Sequence, residues 1–164
     1  MSQLITGIFP NRDIAERAIQ HLVDAGFAPE DTSLLMSEGT RGREFQMEKT
    51  TKAPEGAVTG ATVGGVLGAV AAGLVAVGTL AVPGLNLVAA GPIVAALSGL
   101  GAGAAAGGMV GGLVGLGVPE HEAKFYDKEI AKGGILLGVY AHDDRQKLAK
   151  DILEAAGAEK VGRA

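Results

Sequence analysis

Two kinds of apolar pattern alternate along this chain: short consecutive runs, and positions recurring every three or four residues. Leu4-Ile5-Thr6-Gly7-Ile8-Phe9 is of the first kind and predicts a short buried strand broken by Pro10-Asn11. Ile14, Ala18, Ile19, Leu22 and Val23 then fall at helical spacing, with Arg12, Glu16, Arg17 and Asp24 on the other face. Asn11 or Asp13 is placed to cap this helix, and Gly26 to end it. Thr32-Ser33-Leu34-Leu35-Met36 predicts a second strand. Near the other end, Pro119-Glu120 opens a helix with Ala123, Phe125, Tyr126 and Ile130 as its apolar stripe, and Gly133-Gly134 closes it. Ile135-Leu136-Leu137-Gly138-Val139-Tyr140-Ala141 is the strongest strand signal. His142-Asp143-Asp144 is read as the cap of a last helix with Leu148, Ile152 and Leu153 inward. Gly157 ends that helix before a short strand at Glu159-Lys160-Val161.

With the middle removed, the order is β-α-β, then helix, then β-α-β. Two such halves predict an α+β, ferredoxin-like domain in which neither half buries a core alone. The chain therefore divides into residues 1–53, a first half with a polar linker; 54–118, a helical hairpin; and 119–164, the second half.

The middle differs in kind. Residues 56–119 contain no Asp, Glu, Lys, Arg or His, although 20% of the chain is charged. Pro83-Gly84 and Gly91-Pro92 punctuate it, leaving one helix over about 55–82 and another over about 93–118, each long enough to span a hydrocarbon core roughly 30 Å thick. Glycine recurs every fourth residue, as Gly56, Gly60, Gly64 and Gly68 in the first helix and as Gly99, Gly103, Gly107, Gly111 and Gly115 in the second. Small residues at this spacing form a groove that admits another backbone. Val63, Val66, Leu67, Val70, Leu74 and Val77 cluster on the opposite side of the first helix. The small face is expected to meet protein, and the bulky face lipid or an apolar partner. The stretch from Gly101 to Gly108 carries nothing larger than a methyl group, so the second helix needs neighbours, which points to self-association in or out of a bilayer. Lys49 and Lys52 before the hairpin and Lys124, Lys128 and Lys132 after it would keep both termini cytosolic.

Composition narrows the chemistry. The chain of 164 residues has 27 Gly, no Cys and no Trp, and is 48% hydrophobic but only 4% aromatic. The absence of Cys excludes disulfides, thiolate metal sites and thiol catalysis. A net charge of −4 gives no electrostatic case for nucleic acid. No secretory signal peptide is visible at the start. Of the three His, His121 is read as part of a solvated first turn, His142 as part of a cap, and His21 as lying beside an apolar stripe. Gly60-Ala61-Thr62-Val63-Gly64 lacks the Lys-Ser/Thr of a phosphate loop, Ser98 has no acid or base near it in sequence, and Arg41-Gly42-Arg43 reads as linker. With no convergent acid, base and nucleophile, the chain reads as non-enzymatic, without metal or cofactor. Its expected partners are itself and membrane lipid; the alternatives are a soluble assembly whose hairpins bury each other and a ferredoxin-like module that senses a ligand.

The chain also resembles the bacterial general stress proteins, small heat- or low-temperature-induced proteins. The likeness runs through Gly7-Ile8-Phe9 with Ala15 and Ala18, Leu22 to Gly26, Lys52-Ala53-Pro54-Glu55-Gly56-Ala57, and Ile93 onward into the Gly/Ala segment. It continues through Gly115-Leu116-Gly117-Val118-Pro119-Glu120, Glu122-Ala123, Tyr126 and Gly133-Gly134. This resemblance implies a role under stress, an uncharged central segment and no assigned catalysis. It brings no mechanism.

Overall fold

The computed structural model describes residues 2–37, 39–40, 79–82, 87–93 and 102–164. It is a mixed helix-and-sheet, α+β fold. In chain order the described elements are β1 (Ser2–Phe9), α1 (Arg12–Asp24), a 3-10 turn (Pro29–Asp31), β2 (Thr32–Ser37), β3 (Thr79–Val82), β4 (Leu87–Ala90), α2 (Ala102–Gly115), α3 (Glu120–Ala131), β5 (Ile135–His142), α4 (Gln146–Ala156) and β6 (Lys160–Arg163). The strands form one sheet in the order β3-β4-β2-β5-β1-β6, and every neighbouring pair is antiparallel. β1 and β5 pair along their whole length, from Ser2↔His142 to Phe9↔Ile135. Since β1 and β2 both run against β5, they are parallel to each other, and α1 carries the chain across. α4 makes the same crossover from β5 to β6 over β1.

The central strands β2, β5 and β1 are buried on both faces, which is why they read as unbroken apolar runs rather than alternating ones. One face packs Ile5, Phe9, Leu34, Met36, Ile135, Leu137 and Val139 against Ala15, Ala18, Ile19 and Leu22 of α1 and Ala149 and Leu153 of α4. The other packs Leu4, Ile8, Leu35 and Leu136 against Ala123, Tyr126 and Ile130 of α3, together with Ala89, Ile93, Met109, Leu113 and Val118. Those last five all come from the uncharged segment. Burying an aliphatic side chain contributes about 1.5–3 kcal/mol, so Ile93, Met109, Leu113 and Val118 weigh heavily in closing this face.

Several local expectations match the structure. The Asn11 side chain accepts from the Ile14 backbone N–H, and Gly157 ends α4 in the left-handed region at φ 104°. Others need correction. Residues 79–82, expected at the end of a helix, are strand β3, and residues 87–90, expected within a turn, are strand β4. Each is a short run rich in aliphatic residues, close to Pro83-Gly84, and the pair extends the sheet from β2, whose edge would otherwise be open. The N-cap of α4 is Arg145, with no side-chain capping bond, rather than the His142-Asp143-Asp144 group. Leu148 is 43% exposed because the inward stripe of α4 runs through Ala149 and Leu153.

Two long-range fastenings hold the parts in register. Gly91 turns the chain out of β4 at φ 88°, and a Cβ there would run into the Thr32 carbonyl oxygen and sit 2.9 Å from Ser33 Cα. Just beyond it, the Ile93 N–H donates to Ser33 Oγ at 3.2 Å, so a serine of β2 caps the turn that starts at Pro92. Arg145 ties the two βαβ halves together. Its guanidinium lies 4.1 Å from the Phe27 ring centroid and donates to the Gly26 carbonyl at 3.1 Å and the Ala25 carbonyl at 2.5 Å.

Gly91→Ala is expected to cost about 2–3 kcal/mol in urea unfolding, from backbone strain plus the clash. Gly107→Ala, where an added Cβ meets nothing described within 4 Å, should leave stability level or raise it. Arg145→Ala is expected to cost about 1–3 kcal/mol in the same assay. Arg145→Lys should recover less than half, because an ammonium cannot bridge two carbonyls and stack at once.

Candidate functional site

α2 lies at the surface of the second layer. Met109 and Leu113, one turn apart, are buried against the sheet, and Val110 and Leu116 are partly buried. Val114, 41% exposed, and Gly115 turn away from that cluster, and Gly107 is exposed as well. No charged residue lies anywhere on this helix.

Of the predicted glycine ladder, Gly103, Gly107, Gly111 and Gly115 lie in α2. They do not stand on one continuous helix, as the four-residue spacing implied. Gly108 adopts φ 60°, ψ −150°, a region essentially restricted to glycine, and splits α2 into 102–107 and 109–115. Gly56, Gly60, Gly64, Gly68 and Gly99 lie outside the described residues, as do Val63, Val66, Leu67, Val70, Leu74 and Val77. Arg41-Gly42-Arg43 and Ser98 lie outside them as well. Among the described residues, no helix is long and apolar enough to cross a membrane.

A second feature was not legible in the sequence. Where α3 crosses the β1–β6 pair, Thr6 Oγ1 and Tyr126 OH are hydrogen-bonded at 3.1 Å in a fully buried setting. The Glu122 carboxylate joins them. All three groups converge over Gly162 of β6: a Cβ there would lie 2.7 Å from Tyr126 OH and 3.0 Å from Thr6 Oγ1, and would collide with Glu122 Oε2. Only glycine lets the strand pass beneath this cluster. Glu122 Oε1 lies 3.9 Å from Lys160 Nζ and 3.9 Å from His121 Nε2, while the buried Oε2 has no hydrogen-bond partner. Lys160 also sits 5.4 Å from the Phe125 ring centroid. Gly162 falls one residue beyond the predicted last strand, and the partners that meet over it lie 120 residues apart in sequence.

Burial pushes the Tyr126 phenol up to about 12; the Thr6 hydrogen bond opposes this and the Glu122 charge adds to it. The Tyr140 phenol is also raised by burial. Neither phenol is poised for proton transfer near neutral pH. His142 Nδ1 lies 3.0 Å from Ser2 Oγ, and His121 and His21 are exposed. The described residues hold no group of three His, Cys, Asp or Glu suited to a metal ion. The outer faces of α3 and α4 carry ion pairs one turn apart, Lys124–Glu120 and Lys147–Asp151, each at 2.6 Å, with Glu120 held below the usual carboxylate range by the Lys124 hydrogen bond. These are solvated faces rather than binding clusters.

The chain matches no protein-family model, no curated protein and no solved structure.

The raised Tyr126 phenol has a consequence for alkaline stability. The folded state holds this proton more tightly than the unfolded chain does. Its contribution is complete below the ordinary phenol value near 10 and is lost as pH rises toward about 12. Wild-type stability is therefore expected to fall across that window. Tyr126→Phe should flatten the fall while costing about 1–2 kcal/mol at pH 7, because Thr6 loses its partner. Urea melts at stepped pH, with phenolate absorbance followed alongside, check both.

Proposed function

We propose that the chain is a non-enzymatic stress protein that assembles with copies of itself through its uncharged central segment. In this reading the strand order β2-β5-β1-β6, with its two interleaved crossovers, is a ferredoxin-like domain. The central segment is an insertion that covers the domain's second face and presents α2 outward.

The observation that carries the proposal is the outer side of α2. Val114 stands 41% exposed beside the exposed Gly115 on an uncharged helical stretch, and Gly107, on the other side of the Gly108 break, is exposed too. An uncharged face with glycines and a bare valine suits close approach of another apolar surface far better than it suits water. The resemblance to the general stress proteins supports the cellular role. Lipid is a second reading of the same face, favoured by the lack of any Asp, Glu, Lys, Arg or His in residues 56–119. It would place the chain on the cytosolic side of a membrane. The lack of bulky aromatic anchors on α2 weighs toward protein instead.

Val114→Lys puts a charge at an already exposed position and should leave the monomer's fold intact. Gly107→Leu fills open space without adding polarity. Both are expected to reduce the assembled mass in size-exclusion chromatography with light scattering, while far-ultraviolet circular dichroism stays unchanged. Unaltered mass for both variants would remove α2 from the interface. Flotation with vesicles separates the lipid reading: Gly107→Leu should float at least as well as wild type, whereas Val114→Lys should float less.

A further inference from the structure

We propose, resting on the reading of α2 as the assembly surface, that Gly108 is a switch between two shapes of this helix. In the free protomer α2 is broken; when a second copy covers its outer side it is one continuous helix.

Sharp helix breaks have identifiable causes, among them proline and pairs of very small residues. Residues 93–118 contain no proline. What stands at the break is the pair Gly107-Gly108, with Gly108 at φ 60°, ψ −150° between helical stretches 102–107 and 109–115. The second stretch is anchored, with Met109 and Leu113 buried against the sheet. The first ends at Gly107, which is exposed and where an added Cβ would meet nothing described within 4 Å. Rotation at Gly108 alone would bring the two stretches into line while Met109 and Leu113 keep their places. At about 100° per residue, Gly103 and Gly107 of a straight helix stand within about 20° of Val114, and about 100° or more from Met109 and Leu113. Straightening thus lengthens the outer side of α2 and leaves its buried side in place.

Hydrogen bonding at the break couples this shape to association. A helix end leaves up to four backbone groups outside the ladder. The break creates two such ends back to back: carbonyls of the turn before Gly108, and N–H groups of the turn after it. At an exposed position water meets these groups at little cost. Beneath an apolar cover it cannot, and a buried backbone group without a partner is destabilising. A straight helix pairs the same groups with one another. Covering the outer side therefore selects the continuous form, and by linkage whatever straightens α2 promotes association. The chemistry of the cover decides this. A charged or hydroxyl-rich partner would satisfy the loose groups and preserve the break. A second copy of α2 carries neither kind of side chain, so it selects the straight helix.

The test is a pair of substitutions in the full chain with opposite expected effects. A Cβ closes the backbone region that Gly108 occupies, so Gly108→Ala excludes the broken form. Gly108→Pro excludes the straight one, because proline donates no hydrogen bond and its ring clashes with the preceding turn. Light scattering over a dilution series gives the concentration at half-assembly. Amide hydrogen exchange of residues 109–111 reports the break. In the wild type these amides should exchange fast in the dilute protomer and be protected in the assembly. Gly108→Ala should protect them at every concentration and assemble at about tenfold lower concentration, and Gly108→Pro should need about tenfold higher. Fast exchange of these amides in assembled wild type, or equal exchange in both states, overturns the switch and leaves the assembly reading standing. Weaker assembly of Gly108→Ala than of wild type also overturns it, since the break would then be a fixed part of the fold. A wild type that stays monomeric at every concentration sinks both.

Discussion

A sheet with aliphatic side chains on both faces needs two covers, and everything else in this fold follows from where the second one comes from. The first is supplied by α1 and α4, the crossover helices of the two βαβ units. The second is assembled from α3 and from pieces of the uncharged segment: Ala89, Ile93, Met109, Leu113 and Val118. Without those pieces only α3 would cover Leu4, Ile8, Leu35 and Leu136. The segment is therefore part of the domain's core as well as its most unusual stretch of sequence. Gly91 and Ser33 show the same dependence at the level of single atoms, since the turn after β4 is shaped and capped by residues of β2.

The ends of the chain were largely readable in advance, and the reason is physical. Their elements are short, each has a strong apolar pattern, and each is bounded by a residue with one conformational role, such as Asn11, Gly26, Gly133 or Gly157. The errors arose where local pattern underdetermines structure. A run such as Thr79-Leu80-Ala81-Val82 is equally compatible with a buried helix or a strand, and only the open edge of β2 decides between them. A glycine ladder specifies spacing, but Gly108 shows that a glycine can also break the helix whose face the ladder is meant to line. Leu148 turned outward because two small or branched neighbours, Ala149 and Leu153, made a better inward stripe.

The buried polar side chains of the second layer engage one another and the backbone around them. The buried polar groups of the second layer, Thr6 and Tyr126 with Glu122, are turned toward one another and toward Gly162 rather than toward an opening. Arg145 directs its contacts to two carbonyls and a ring of its own chain. In both places polar side chains join distant parts of the sequence. Neither was visible without the fold, because spacings of about 120 residues leave no local trace.

The position of β1 bears on how the chain comes to be folded during synthesis. Both of its neighbours, β5 and β6, are made more than 120 residues later, and β2 reaches it only across β5. The first strand and helix leave the ribosome with no partner to pair with, and the whole uncharged stretch follows before the sheet can close. At about 5–20 residues per second, that leaves many seconds in which an apolar nascent chain waits for its final quarter. Burial of the first strand is therefore set by the rate at which the last elements are made.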